Sequence, residues 1–98
     1  MAEGVLLVFH LPEGSPSVRH REFRRRVYGE ATSSWGGKYR YHRQGILDGV
    51  PHVRIYWGII VVRTADGGKM ARWLRKQGAR TIVRAVTLTS KDEARLGS

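Results

Sequence analysis

Apolar and polar positions switch between strand-like and helix-like periods along this chain. Residues 4–10 (GVLLVFH) are almost wholly apolar and predict a short strand, stopped by Leu11-Pro12-Glu13-Gly14. Ser15 has N-cap chemistry and Pro16 suits a first helical position, so a helix is expected to about Gly29. Pro16, His20, Phe23, Val27 and Ala31 share its inward face, which places His20 among packed residues. Arg21 and Arg25 lie opposite, with Arg24 and Arg26 on the flanks. Residues 31–37 (ATSSWGG) read as a loop, and residues 38–47 as a second strand. Asp48-Gly49 marks a turn, which Val50-Pro51 extends. Residues 53–63 (VRIYWGIIVVR) predict a third strand in which Gly58 marks a bulge or bend. Asp66 is placed to cap a second helix over 67–77, with Met70, Trp73, Leu74 and Gln77 inward and Gly78 as its stop. A fourth strand is expected over 81–88. Ser90 and Glu93 have capping-box spacing, which predicts a short terminal turn over 91–96.

The order β-α-β-β-α-β is the split βαβ, or ferredoxin-like, arrangement. The expected fold is α+β: a two-layer sandwich of a four-stranded antiparallel sheet with two helices on one face. It would form a single domain with its core over 4–88 and a short C-terminal extension over 89–98. The continuous apolar runs, 5–9 and 59–62, suit the two central strands of that topology. Those runs are apolar on both faces. Val5, Leu7 and Phe9 oppose Leu6 and Val8, and Ile60 and Val62 oppose Ile59 and Val61. The face away from the helices therefore needs a cover. A homodimer through the sheet face is the preferred one; the segment after Leu88 and the turn around Asp48 are the alternatives.

The chain has 98 residues and 11.1 kDa, with 41% hydrophobic and 27% charged residues, which is globular composition. It contains no cysteine, which excludes disulfides, thiolate zinc sites, iron–sulfur clusters and cysteine nucleophiles. No apolar run approaches the roughly 20 residues of a membrane span, and the first residues lack a signal-peptide pattern. The expectation is a soluble, cytoplasmic protein with no membrane partner. Eighteen Lys and Arg against eight Asp and Glu give a net charge of +10, and fourteen of the eighteen are Arg. Polyanions, above all nucleic acids, are the expected partners, and Arg supplies bidentate phosphate contacts.

Two segments concentrate that chemistry. Residues 35–43 (WGGKYRYHR) interleave aromatic rings with cations, as single-strand binders do. Trp35 and Tyr39 are candidates for base stacking, and Lys38, Arg40 and Arg43 for phosphate contact. Plain strand alternation offers the alternative that Tyr39 and Tyr41 pack inward. The first helix adds Arg19, Arg21, Arg24 and Arg25 as phosphate-contacting candidates, beside Arg26, with only Glu22 and Glu30 in opposition. Residues 54–62 (RIYWGIIVV) do not match the aromatic third-strand pattern of RNA-recognition modules. Catalysis has little support. The four histidines lack metal-ligand spacing, and there is no Ser-His-Asp order or P-loop. Gly67-Gly68 is at most a minimal anion nest. His10, ending a central strand near Glu13, is the one weak candidate for a general acid or base. No cofactor and no metal are expected.

Val8-Phe9-His10-Leu11-Pro12-Glu13, and the arginine-bearing helix that ends Val27-Tyr28-Gly29, resemble the small CRISPR-associated adaptation proteins that pair with the CRISPR integrase. Those proteins carry a Y-D-I-P-D-like string at the end of the first strand and an arginine-bearing helix ending near Y-G. The resemblance covers most of the chain in topology and is specific over these two strings. It implies a ferredoxin-like homodimer that holds DNA or RNA. The family's strand-end aspartate, implicated in metal-dependent nuclease activity, aligns with His10, so the departure falls on the nuclease chemistry. The leading expectation is thus a non-enzymatic nucleic-acid-binding homodimer. The alternatives are an adaptation-type endonuclease using Mg or its inactive relative, and a structural subunit of a ribonucleoprotein complex.

Overall fold

The computed structural model describes residues 2–34 and 39–97, with the side chains of residues 31–42 outside that description. The elements are β1 (Glu3–His10), α1 (Ser17–Tyr28), β2 (Glu30–Ser34), β3 (Tyr39–Arg43), a 3-10 turn (Ile46–Gly49), β4 (His52–Tyr56), β5 (Ile59–Arg63), α2 (Thr64–Lys76), β6 (Arg80–Thr87) and α3 (Ser90–Leu96). The chain divides into two compact units. The first is Met1–Gly14 with Pro51–Ser98, and the second is Ser15–Val50.

The first unit holds an antiparallel four-stranded sheet in the order β4-β5-β1-β6. Taking its strands in chain order, this is second-third-first-fourth, the ferredoxin-like α+β order. β1 and the run Ile59–Arg63 are central, as the doubly apolar pattern requires. The edge beside β5 differs from expectation. It is β4, and residues 39–43 pair instead with β2 in a separate two-stranded sheet. The expected single strand over 53–63 is a hairpin. Gly58 turns it with φ +84°, a conformation that glycine reaches without strain. The Gly58 carbonyl accepts the Phe9 N–H at 2.8 Å, which ties the turn to β1. A bulge does occur, but between Arg54 and Tyr56.

α2 covers one face of the sheet. Met70, Ala71 and Leu74 are buried, as are Leu7, Ile60 and Val62. Gly67 is buried too, because a Cβ there would stand 2.9 Å from Val5 Cγ2. The glycine lets helix and sheet approach, which accounts for it without an anion. α2 starts three residues earlier than expected, with Arg63 at the N-cap position. Asp66 lies in its first turn, where a carboxylate complements the helix dipole, and accepts from Arg63 Nε at 2.9 Å. Trp73, expected inward, is half-buried.

The other face carries the cover that the pattern demanded, over part of its area. Leu88 and Leu96 cluster with Val53 and Val61, against Leu6, Val86 and Ala2. Leu6 neighbours Val5 along β1, so this cluster lies opposite α2. The segment after Leu88 is therefore packed onto the sheet. Its helix is capped by Thr89 and Asp92, one residue before the expected pair: Thr89 Oγ1 accepts from the Asp92 N–H at 3.2 Å, and Asp92 Oδ2 accepts from the Thr89 N–H at 3.1 Å. Glu93 serves elsewhere, its Oε1 accepting from the Ala2 N–H at 3.0 Å.

In the second unit, α1 begins at Ser17 with Pro16 at the N-cap position and ends at Gly29, whose N–H donates to Arg25 O at 2.8 Å. Only Phe23 and Val27 of α1 are buried; His20, expected on the packed face, is exposed. The 3-10 turn replaces the simple turn expected at Asp48-Gly49. There Asp48 Oδ2 accepts from the Gly45 N–H at 2.7 Å. Among the described residues no helix is long and apolar enough to cross a membrane.

Candidate nucleic-acid interface

The spacing of cations on α1 decides which of them act together. At 3.6 residues per turn, positions 17, 20, 21, 24 and 25 share one side of a helix, while 19 and 26 fall on the other. The structure opens a groove of about 480 Å³ on that shared side. It is lined by His20, Arg21, Arg24, Arg25 and Glu30, with Ser17 and Gly29. Three guanidinium groups thus face one carboxylate. Arg25 Nη1 and Glu30 Oε2 are 3.7 Å apart and both are partly exposed, so solvent screens this pair and it adds little stability. The groove keeps a positive balance after this pairing. Arg25 and Arg26 also sit in the last helical turn, where positive charge complements the dipole.

Of the predicted phosphate contacts, Arg21, Arg24 and Arg25 are brought together. Arg19 is exposed but does not line the groove. Arg43 is exposed, and the β2–β3 register sets it opposite Glu30. Tyr39 and Arg40 lie in β3, opposite Ser34 and Ser33, and their side chains fall outside the described residues. Trp35 and Lys38 also lie outside the described residues. His10 ends β1, exposed, with Nδ1 2.9 Å from the Leu11 carbonyl. Among the described residues no group of His, Asp and Glu is arranged to hold a metal ion.

Two further surfaces lie outside the residues chosen from the sequence as candidate contacts. The first is a groove of about 520 Å³ lined by Arg72, Arg75 and Lys76 with Gly67, Gly68, Ala71 and Val83. Arg75 Nη2 donates to the Thr81 carbonyl at 3.3 Å, which holds one of these cations at its rim. The second is the tip of the β4–β5 hairpin, where Ile55 (58%), Tyr56 (68%) and Trp57 (49%) stand exposed. The Arg54 guanidinium lies over the Trp57 ring, 4.6 Å from its centroid. The signal for this tip was Gly58 inside one long β-like stretch, which marks a turn as readily as a bulge. In comparisons with known proteins, no family model, no curated protein and no solved structure matches this chain.

Proposed function

We propose that this chain is a nucleic-acid-binding protein that holds phosphate backbone in the basic groove of α1. The observation that carries this reading is the convergence of Arg21, Arg24 and Arg25 on one open groove in a protein of net charge +10. Guanidinium groups bind phosphate oxygens in bidentate fashion, and an open groove admits a polymer. The partly exposed Glu30 is a local competitor for Arg25.

Binding of a labelled duplex and of a single strand is to be measured between 50 and 200 mM salt. Each neutralised phosphate contributes a slope of about −0.9 in log K against log salt on duplex DNA. Replacing Arg21 and Arg24 together by alanine is expected to reduce the magnitude of the slope by about 2 and to weaken binding to both probes. Arg21 and Arg24 are exposed, so the melting temperature should stay within a few degrees. An unchanged slope in a folded double variant would remove α1 from the interface. Running the same mixtures on a gel with and without magnesium reads strand integrity. Cleavage that requires magnesium would favour the nuclease alternative implied by the family resemblance.

A further inference from the structure

Part of the sheet face is left open by α3, and it carries an apolar row with an aromatic ring at one end. Strand register builds it. Tyr56 lies opposite Ile59, Ile59 opposite Val8, and Val8 opposite Ile82. These four residues form one row across all four strands, about 14 Å wide at strand spacing. Val8 shares its face with Leu6, so the row continues the face that Leu88 and Leu96 cover one step away. The row itself is open: Tyr56 and Ile82 are well exposed, and Ile59 and Val8 are half-buried. At the hairpin tip beside it stand Ile55, Trp57 and the Arg54 guanidinium that stacks on the indole.

An open apolar row admits several occupants, and charge selects among them. Residues 52–63 and 80–87 contain no acidic residue; of their arginines, Arg54 lies opposite Ile60, on the side of α2, and Arg63 is paired with Asp66. Arg80 and Arg84 flank Ile82 on the same face, because they alternate with it along β6 and lie opposite His10 and Leu6. A second copy laid on this face would enclose Arg80 and Arg84 with no carboxylate from these strands to offset them, and the α3 carboxylates of Asp92 and Glu93 already accept from the Thr89 and Ala2 N–H groups. A nucleobase strand instead offers flat faces for Tyr56 and Trp57 and phosphates for the arginines. Only unpaired bases present such faces. A duplex keeps its bases stacked inside and offers this surface phosphates alone.

We propose that the β4–β5 hairpin tip and the adjoining sheet row stack unpaired bases on Tyr56 and Trp57, which makes single-stranded nucleic acid the preferred ligand. This rests on the nucleic-acid reading above and assigns it a second surface, chemically distinct from the α1 groove.

Fluorescence anisotropy with single-stranded oligothymidylate, oligouridylate and a duplex tests it. Tyr56→Ala is expected to weaken both single-stranded probes by about 5- to 100-fold and to leave duplex affinity and the salt slope unchanged. Tyr56→Phe, which keeps the ring, is expected to retain single-strand affinity. Trp57→Leu, which keeps apolar bulk without the indole face, should behave as Tyr56→Ala does. Tyr56 is two-thirds exposed, so its truncation spares the core, and a melting curve checks that. Equal losses on single strand and duplex, or none on the single strand, overturn the proposal. So does conversion of a dimer to a monomer by Tyr56→Ala in sedimentation, which would give the face to a second copy. In any of these cases the response to the Arg21 and Arg24 double variant still reports separately on the α1 groove.

Discussion

Leu96→Ala is expected to destabilise the protein by about 2–4 kcal/mol, the range for removing a fully buried leucine side chain. Leu96 is one residue from the last one described, yet it is 1% exposed, packed with Leu88, Val53 and Val61. Its two neighbours, Arg95 and Gly97, are exposed, so the loss would come from this one side chain. In a chain of this size the melting temperature should fall by roughly 10–25 °C. Domains of about this length carry only about 5–15 kcal/mol in all, so this is a large share. Thermal and urea melts measure it directly. A change below about 0.5 kcal/mol would mean that α3 is an appendage and that the sheet face under it finds another cover.

Gly58→Ala should cost about 2–3 kcal/mol through a different mechanism. The residue turns the hairpin at φ +84°, where a side chain is strained, and a Cβ there would lie 2.7 Å from the Phe9 carbonyl oxygen. That oxygen is backbone in a central strand and cannot swing aside. The Phe9 N–H bond to Gly58 O would be lost or stretched as the hairpin moved. Gly68→Ala is the matched control. Gly68 sits in α2 with open space at its Cβ, so alanine there should be neutral or stabilise by up to about 1 kcal/mol. Equal responses from the two glycines would rule out a turn-specific role for Gly58. The same substitution displaces Tyr56 and Trp57, so it should also weaken single-strand binding.

The core was legible where periodicity and burial coincide. Met70, Leu74, Phe23 and Val27 were placed inward by spacing, and they are buried. Val5 to Phe9 and Ile59 to Val62 were placed at the sheet centre by their doubly apolar pattern, and they pair there. His20 shows the limit of the method. It satisfies the helical spacing of Phe23 and Val27 but lies one turn nearer the helix start, where it is exposed. Residues 38–47 show another limit. Strand-like composition identified strand conformation in part of the segment but not its partner, which is β2 and not the main sheet. The candidate site was legible as cations on α1, yet separating Arg21, Arg24 and Arg25 from Arg19 required the groove itself.

The sequence by itself determined the class of this protein: an α+β chain with two doubly apolar central strands, a strong positive charge and an arginine-rich first helix. Those are properties of local pattern and composition, which need no knowledge of distant neighbours. The tertiary structure alone decided that β4 and not residues 39–43 forms the sheet edge, that α3 covers one part of the second face, and that Tyr56 and Trp57 stand exposed in the rest. The physical reason is that periodicity reports which side of an element a residue occupies. Which element then meets that side depends on pairings between residues tens of positions apart, and on where one glycine lets the chain turn back.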